Sequence, residues 1–156
     1  MTTPIRAWRP LVVAALSLAA ACGDDGDDQA PAEAAALWQK IHANDYRKLP
    51  RAPGYPGRTP SSAPHGDAVE IYVNDRVTEA LATPGTTAWP DGSLIVKDGW
   101  AGSSLKYVAA MEKRGGAWFW VEWDGDGDAK YSGAPGLCIN CHASGSDGVR
   151  AFALPR

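Results

Sequence analysis

The sequence predicts an α+β fold that consists mainly of an antiparallel β-sheet with flanking helices. Apolar residues recur every three to four positions after Pro31, which is typical of an amphipathic helix. From Ala68 onwards, short runs rich in β-branched and aromatic residues follow one another and are separated by turn sequences. Gly115-Gly116 lies between two of these runs and indicates a hairpin, which joins antiparallel strands.

Residues 31–64 are predicted to form one helix followed by an extended segment. Pro31 suits a first helical turn, and Pro50 ends the helix. The apolar stripe of this helix comprises Ala34, Leu37, Trp38, Ile41 and Tyr46. Residues 50–64 contain prolines at positions 50, 53, 56, 60 and 64, which predicts irregular, extended chain that crosses a surface.

Four strands and a short helix are predicted in the remainder of the chain. The strands are Ala68–Val73, Ser93–Trp100, Leu105–Glu112 and Ala117–Trp123, and the helix is Asp75–Leu81. Alternation places Leu105, Tyr107, Ala109 and Met111 on one face of the third strand. The last strand carries aromatic residues on both faces, so we expect the sheet to be covered on both sides.

Residues 1–21 have the composition of a bacterial export signal. Arg6 and Arg9 precede a short apolar run that ends in small residues and is too short to span a membrane as a mature helix. Cys22 follows directly, as the lipidated cysteine does in bacterial lipoproteins. The sequence therefore predicts a lipid-anchored protein on the periplasmic side of a bacterial membrane or in the cell envelope. The alternative is an ordinary cleaved signal with an incidental cysteine.

The mature chain is acidic and fits one small domain. Removal of residues 1–21 deletes two basic residues and no acid, which changes the formal net charge from −3 to about −5. Residues 22–30 are acidic and predict a solvated tether to the membrane. No basic patch suggests a nucleic-acid partner. Asp124, Asp126 and Asp128 resemble a calcium loop only superficially, so a solvated loop is expected there.

The strongest chemical signal is the pentapeptide Cys138-Ile139-Asn140-Cys141-His142. Two thiols three positions apart can each add to a vinyl group of one porphyrin, and His142 is then placed as the proximal iron ligand. This spacing predicts one covalently bound haem c in the domain of residues 65–156. The alternatives are a redox dithiol and a zinc site, but zinc would need two further Cys or His ligands nearby.

The second axial position of the iron is less well defined by the sequence. Only fourteen residues follow His142, and none of them is Met or His. Met111, His42 and His65 lie upstream and could reach the iron, although this reverses the usual order. A five-coordinate haem with an open distal face is therefore favoured. An open iron binds or turns over small molecules, whereas a six-coordinate iron carries electrons.

Several segments together resemble the cytochrome P-460 family. They are residues 71–74, the segment Trp89-Pro90-Asp91-Gly92-Ser93-Leu94-Ile95-Val96-Lys97, the strand with Met111, Gly116-x-Trp118-Phe119-Trp120, and Cys138-x-x-Cys141-His142-Ala143 with Asp147. The resemblance covers most of residues 65–150. It implies an antiparallel β-rich fold, one c-haem and a homodimer. Relatives in this family oxidise hydroxylamine or bind nitric oxide.

The resemblance also assigns expectations to individual residues. Lys97 matches the lysine whose nitrogen is bonded to a haem meso carbon in the enzymes, with an ordinary strand lysine as the alternative. The distal carboxylate of the family falls at Val108 and an arginine falls near Val69, which implies an apolar pocket suited to gas binding. The resemblance therefore implies an exported mono-haem cytochrome that binds or oxidises hydroxylamine or nitric oxide. A simple electron-transfer cytochrome with six-coordinate haem is the alternative, and the sequence identifies no redox partner.

Overall fold

A computed structural model describes residues 29–62 and 64–155, where the chain adopts the predicted α+β fold. The expected signal, Cys22 and most of the tether lie outside these residues. The helices are α1 (Pro31–Ala43), α2 (Asp75–Ala82) and α3 (Gly136–His142), and Tyr46–Lys48 forms a 3₁₀ turn. The strands are β1 (Thr59–Pro60), β2 (Ala68–Val73), β3 (Leu94–Ala101), β4 (Ser104–Arg114), β5 (Ala117–Asp124) and β6 (Ala129–Gly133).

The six strands form one antiparallel sheet in sequence order. Gly115 and Gly116 both have positive φ, as the predicted tight hairpin between β4 and β5 requires. The sequence prediction missed β1, β6 and α3. β1 has two residues and contains Pro60, and β6 has only five, so neither gives a clear periodic signal. In the described part of the chain, no helix is long and apolar enough to cross a membrane.

Apolar clusters cover both faces of the sheet, as the aromatic pattern of β5 predicted. Phe119 and Trp123 pack on the face covered by α1, whereas Trp118 and Trp120 lie on the opposite face. That opposite face is covered by α2 and by the C-terminal segment, where Val149 and Leu154 are buried. Helix α1 buries the predicted stripe residues Ala34, Leu37 and Ile41.

A β-bulge corrects one predicted side-chain direction. Gly99 pairs with Tyr107, but the next residue of β3, Trp100, pairs with Leu105, so Lys106 is an extra residue in β4. An inserted residue reverses the alternation beyond it. Leu105 was predicted to share a face with Met111, yet it packs against the cluster below α1.

Buried polar contacts attach the end of the helical segment to the sheet. The Asp98 carboxylate is fully buried on β3 and accepts hydrogen bonds from the Tyr46 hydroxyl (2.6 Å) and from Arg47 Nε (2.8 Å). Burial and the neighbouring carboxylate raise the pKa of Tyr46 far above its ordinary value, so this hydroxyl remains a donor. Asp98 directly follows Lys97, and alternation therefore directs these two charged side chains to opposite faces.

Replacing Glu112 by Gln should remove an acid-sensitive contribution to stability. Burial would raise the pKa of Glu112, but hydrogen bonds from Lys40 and Arg114 outweigh burial and lower this pKa from its usual 4.5. A lowered folded-state pKa stabilises the protein above the unfolded-state pKa, and this contribution is lost as the pH falls through the folded-state pKa. We expect the free energy of unfolding to decline less steeply in E112Q than in the wild type between about pH 5 and pH 3.

Urea unfolding at a series of pH values measures this difference. Glu79→Gln is the matched control, because Glu79 is an exposed carboxylate of α2 that forms a surface i,i+3 contact with Arg76. The E79Q profile should overlay that of the wild type. An E112Q profile that is as steep as the wild-type profile would contradict the assignment.

Candidate functional site

Helix α3 carries Cys138, Cys141 and His142, and none of its seven residues is buried. Leu137 is 62% exposed and Ile139 is 43% exposed, and these are the large exposed apolar side chains among residues 29–62 and 64–155. So short a helix is not stable through its own hydrogen bonds and needs packing against another group. Neither Cys138 nor Cys141 forms a disulfide within the part of the chain that the structure describes. The helix therefore has the properties expected of a segment that a covalently attached apolar group would cover.

The His142 ring is held in one tautomer by a backbone carbonyl. Its Nδ1 lies 2.8 Å from the Gly148 oxygen. A carbonyl only accepts, so Nδ1 carries the proton and Nε2 keeps its lone pair. Burial lowers the pKa of His142 and favours the neutral ring. A neutral imidazole whose second nitrogen is fixed by a hydrogen bond is the usual form of a histidine metal ligand.

A cavity of about 400 Å³ lies between α3 and the sheet face opposite α1. Its wall includes Met111, Trp120, Leu137, Cys138 and His142. A second cavity of about 360 Å³ adjoins it and shares His65, Lys97, Met111, Cys141 and His142 with the first. Cofactor pockets typically have volumes of about 300–1,000 Å³ and mostly apolar walls with a few polar groups. The two thiols, His142 and the cavity thus fit a haem.

Pairing register places two charged side chains in one row on the cavity wall. Lys97 on β3 pairs with Ala109 on β4, and Ala109 pairs with Glu122 on β5. Side chains directly opposite in antiparallel strands lie on the same face. The small Ala109 leaves the space between the two longer side chains open. Burial lowers the pKa of Lys97, although the charge of Glu122 acts in the opposite direction. Lys97 therefore enters the cavity, as its predicted role requires.

His65 reaches the cavity from the loop before β2. Its Nδ1 lies 2.5 Å from Glu122 Oε2, and its ring centroid lies 6.4 Å from that of His142. The loop rests directly on β3, since a Cβ atom built on Gly99 would lie 1.8 Å from the His65 carbonyl oxygen. The Asp67 amide also donates to the Trp100 carbonyl (2.8 Å). Glycine at position 99 is therefore what allows the loop to approach closely enough for His65 to meet Glu122.

The placement of Val108 in the pocket, which the resemblance implied, is wrong. Val108 is fully buried in the cluster below α1 and does not line either cavity, because alternation along β4 directs it to the other face. Val69 does line the second cavity. The acidic residue at the cavity is Glu122, which the sequence reasoning missed. A signal was present, because Glu122 alternates with Trp118 and Trp120 on one face of β5.

The two other candidates for the second axial ligand, Met111 and His42, lie in different places. Met111 lines both cavities, whereas His42 is exposed on α1, where its ring stacks 3.9 Å from Trp38. Within residues 29–62 and 64–155, no group of three or more His, Cys, Asp or Glu side chains is arranged to hold a metal ion. The Asp124 carboxylate accepts hydrogen bonds from the amides of residues 126 and 128 and shapes the β5–β6 turn.

A scan against protein-family models finds no match for this chain, and a search of curated proteins finds no similar sequence.

Replacing Gly99 by Ala should displace His65. The obstructing atom is a backbone oxygen, which cannot rotate away like the end of a flexible side chain. We expect the free energy of unfolding to fall by about 1–3 kcal/mol, as in other overpacked sites, together with loss of the His65–Glu122 contact. Denaturant unfolding and the NMR signals of the His65 ring measure the two effects. Gly57→Ala is the control, since a Cβ there meets nothing within 4 Å. A G99A protein as stable as G57A, with unchanged His65 signals, would refute this prediction.

Proposed function

We propose that this protein is a mono-haem c protein of the cytochrome P-460 type that oxidises a small nitrogen compound such as hydroxylamine. The observation that carries the proposal is the placement of His142, beside the two thiols, across one cavity from the His65–Glu122 pair. Cys138 and Cys141 would hold the porphyrin, and Nε2 of His142 would be the proximal ligand. When bound, the haem supplies an iron that binds the nitrogen compound and accepts its electrons.

The His65–Glu122 pair supplies a proton acceptor for such a reaction. The Glu122 carboxylate can only accept, so the shared proton lies on His65 Nδ1 and Nε2 keeps its lone pair. When Nε2 takes a proton, the negative charge of Glu122 lies beside the positive charge that forms. Oxidation of hydroxylamine releases protons together with electrons, so a base at the site is needed. This base favours oxidation over the simple binding of nitric oxide.

The electrons would leave to an acceptor protein of higher reduction potential. We further propose that Cys22 carries a lipid, which would hold the haem domain at the outer side of a bacterial inner membrane or elsewhere in the envelope. Export and haem attachment are consistent with one another, because bacterial c-type haem is attached outside the cytoplasm.

A second candidate function is supported by one distance. The ring centroids of His65 and His142 are 6.4 Å apart. Metal–imidazole bonds of about 2 Å, with the ring radius added on each side, give a similar separation for two histidines on one metal ion. His65 could therefore serve as a sixth ligand, and the protein would then be a simple electron carrier. Carbon monoxide distinguishes the two, since it binds only where the iron has an open or displaceable position.

The test begins with full-length protein made in cells that contain the bacterial haem-ligation machinery. Haem that stays on the chain in a denaturing gel, and is lost in a Cys138→Ser/Cys141→Ser variant, supports the cofactor assignment. We then expect Glu122→Gln to lower kcat for hydroxylamine oxidation by about 10²–10⁴-fold, the range for loss of a general base. Glu70→Gln is the matched control, because Glu70 is a strand carboxylate paired with Arg51 and does not line the cavities.

Three outcomes would count against the proposed oxidation or its proton acceptor. Colourless protein would remove the haem and everything that depends on it. The electron carrier would be favoured if carbon monoxide left the ferrous spectrum of the wild type unchanged but altered that of His65→Ala. Equal activity of E122Q and E70Q would exclude the His65–Glu122 pair as the proton acceptor.

We expect Lys97 to be bonded through Nζ to the porphyrin. Such a bond replaces one N–H and one C–H by a C–N bond, so an external oxidant of the peroxide class must take two electrons and the two protons leave to solvent. The ferrous Soret band of the wild type should be red-shifted and broadened, and Lys97→Ala should restore an ordinary c-type band. Intact mass measures the loss of hydrogen directly. Lys106→Ala, an exposed lysine of β4, is the control, and identical spectra for K97A and wild type would exclude the cross-link.

A further inference from the structure

A tight turn after α3 carries the carbonyl that binds His142. The amide and carbonyl groups of Ser146 and Val149 pair with each other at 2.9 and 3.1 Å. The two central residues, Asp147 and Gly148, have φ values of +45° and +82°. Positive φ at both central positions defines a type I′ turn, for which Asp-Gly is a favoured sequence. A Cβ on Gly148 would also lie only 3.1 Å from the Trp118 ring.

A partly buried salt bridge from the sheet holds this turn in place. Lys113 Nζ lies 3.0 and 2.9 Å from the two carboxylate oxygens of Asp147. Lys113 is on β4, on the same face as Met111, and its side chain is only 5% exposed. The Trp89 amide donates a further hydrogen bond to Asp147 Oδ2 (2.8 Å). The Asp147 side chain is therefore fixed by two elements that do not belong to the turn.

Two indole groups fix the backbone of the same turn. Trp89 Nε1 donates to the Ser146 carbonyl (2.8 Å), and Trp118 Nε1 donates to the Asp147 carbonyl (2.7 Å). With the carbonyls of residues 146 and 147 bound to indoles, the next carbonyl, that of Gly148, is directed towards His142 Nδ1. The position of the proximal histidine thus depends on a contact that begins at Lys113 on β4.

We propose that the Lys113–Asp147 pair is a positioning unit for the proximal histidine. The pair fixes the turn, the turn fixes the Gly148 carbonyl, and the carbonyl keeps the His142 proton on Nδ1. A hydrogen bond from the distant ring nitrogen makes the ligating nitrogen more electron-rich, and such outer contacts tune metal affinity and reduction potential. This inference rests on the proposed haem function, but its first readout is the state of a histidine in the protein itself.

The first measurement is the tautomer of His142 by ¹⁵N NMR in full-length protein produced without the haem-ligation machinery, because iron bonded to Nε2 would by itself keep the proton on Nδ1. We expect the wild type to carry the proton on Nδ1, and Lys113→Met/Asp147→Asn to lose this preference. The double variant removes both charges together, so no unpaired charge is left buried. Asp147→Asn alone is the second variant in case the double variant does not fold, and Lys113→Arg, which keeps the charge, should retain the wild-type tautomer.

The second measurement is the midpoint potential of the haem-loaded protein. We expect the double variant to favour the ferrous state about tenfold more than the wild type, which is a rise of about 59 mV for a one-electron couple. Lys106→Met, which removes an exposed charge from β4, should leave the potential unchanged.

The outcomes separate this inference from the proposed function. Protein without haem would refute the proposed function, yet the His142 tautomer could still be compared between variants. Folded variants that keep both the wild-type tautomer and, when loaded, the wild-type potential would overturn the positioning role of Lys113 and Asp147.

Discussion

The candidate site depends on the pairing register of β3, β4 and β5. Lys97, Ala109 and Glu122 share one cross-strand row, and only this register places them together on the cavity wall. A slip by one residue would turn every side chain of a strand to the opposite face. Both faces of the sheet are apolar and covered, so such a slip would bury Asp98 without the contacts that Tyr46 provides and would expose apolar residues. Burial on both faces therefore specifies the register strongly.

The two histidines that line the cavity, His65 and His142, form the same type of hydrogen bond with different acceptors. Each has Nδ1 bound to an oxygen, which leaves Nε2 as the nitrogen that can bind a proton or a metal. His142 donates to a neutral carbonyl within a rigid turn, which suits a ligand with a fixed position. His65 contacts the charged carboxylate of Glu122, and a full negative charge stabilises a protonated ring better than a dipole does. Different acceptors thus support different roles for chemically identical side chains.

The two faces of the sheet divide structural and chemical tasks. On the α1 face, the charged groups are satisfied by one another, as in the contacts of Asp98 with Tyr46 and Arg47. On the opposite face, Lys97 lowers its pKa through burial and Glu122 shares its oxygen with one histidine. The lowered pKa of Lys97 beside the cavity is a property that frequently marks reactive sites. Asp98 thus anchors the helical segment to the sheet, whereas the neighbouring residue Lys97 lines the cavity.

The sequence by itself determined the fold class and the attachment point of the proposed cofactor. Periodicity gave α1, α2 and four of the six strands, because those segments are long enough to repeat their apolar pattern. The pair Cys138 and Cys141 with His142 is a local motif whose spacing needs no tertiary information. Lys97 was found through resemblance, and the sheet then placed it beside the cavity.

Only the tertiary structure determined which side chains lie opposite Lys97 and His142 across the cavity. His65 and Glu122 are 57 residues apart in the chain, and they meet only because Gly99 lets a loop rest on β3. Val108 was assigned to the pocket by alignment, but the alternation of β4 turns it to the other face. Lys113 and Asp147 likewise meet through folding. Local sequence encodes periodicity and motif spacing, whereas contacts between distant segments depend on register, bulges and close backbone approach, which no local pattern contains.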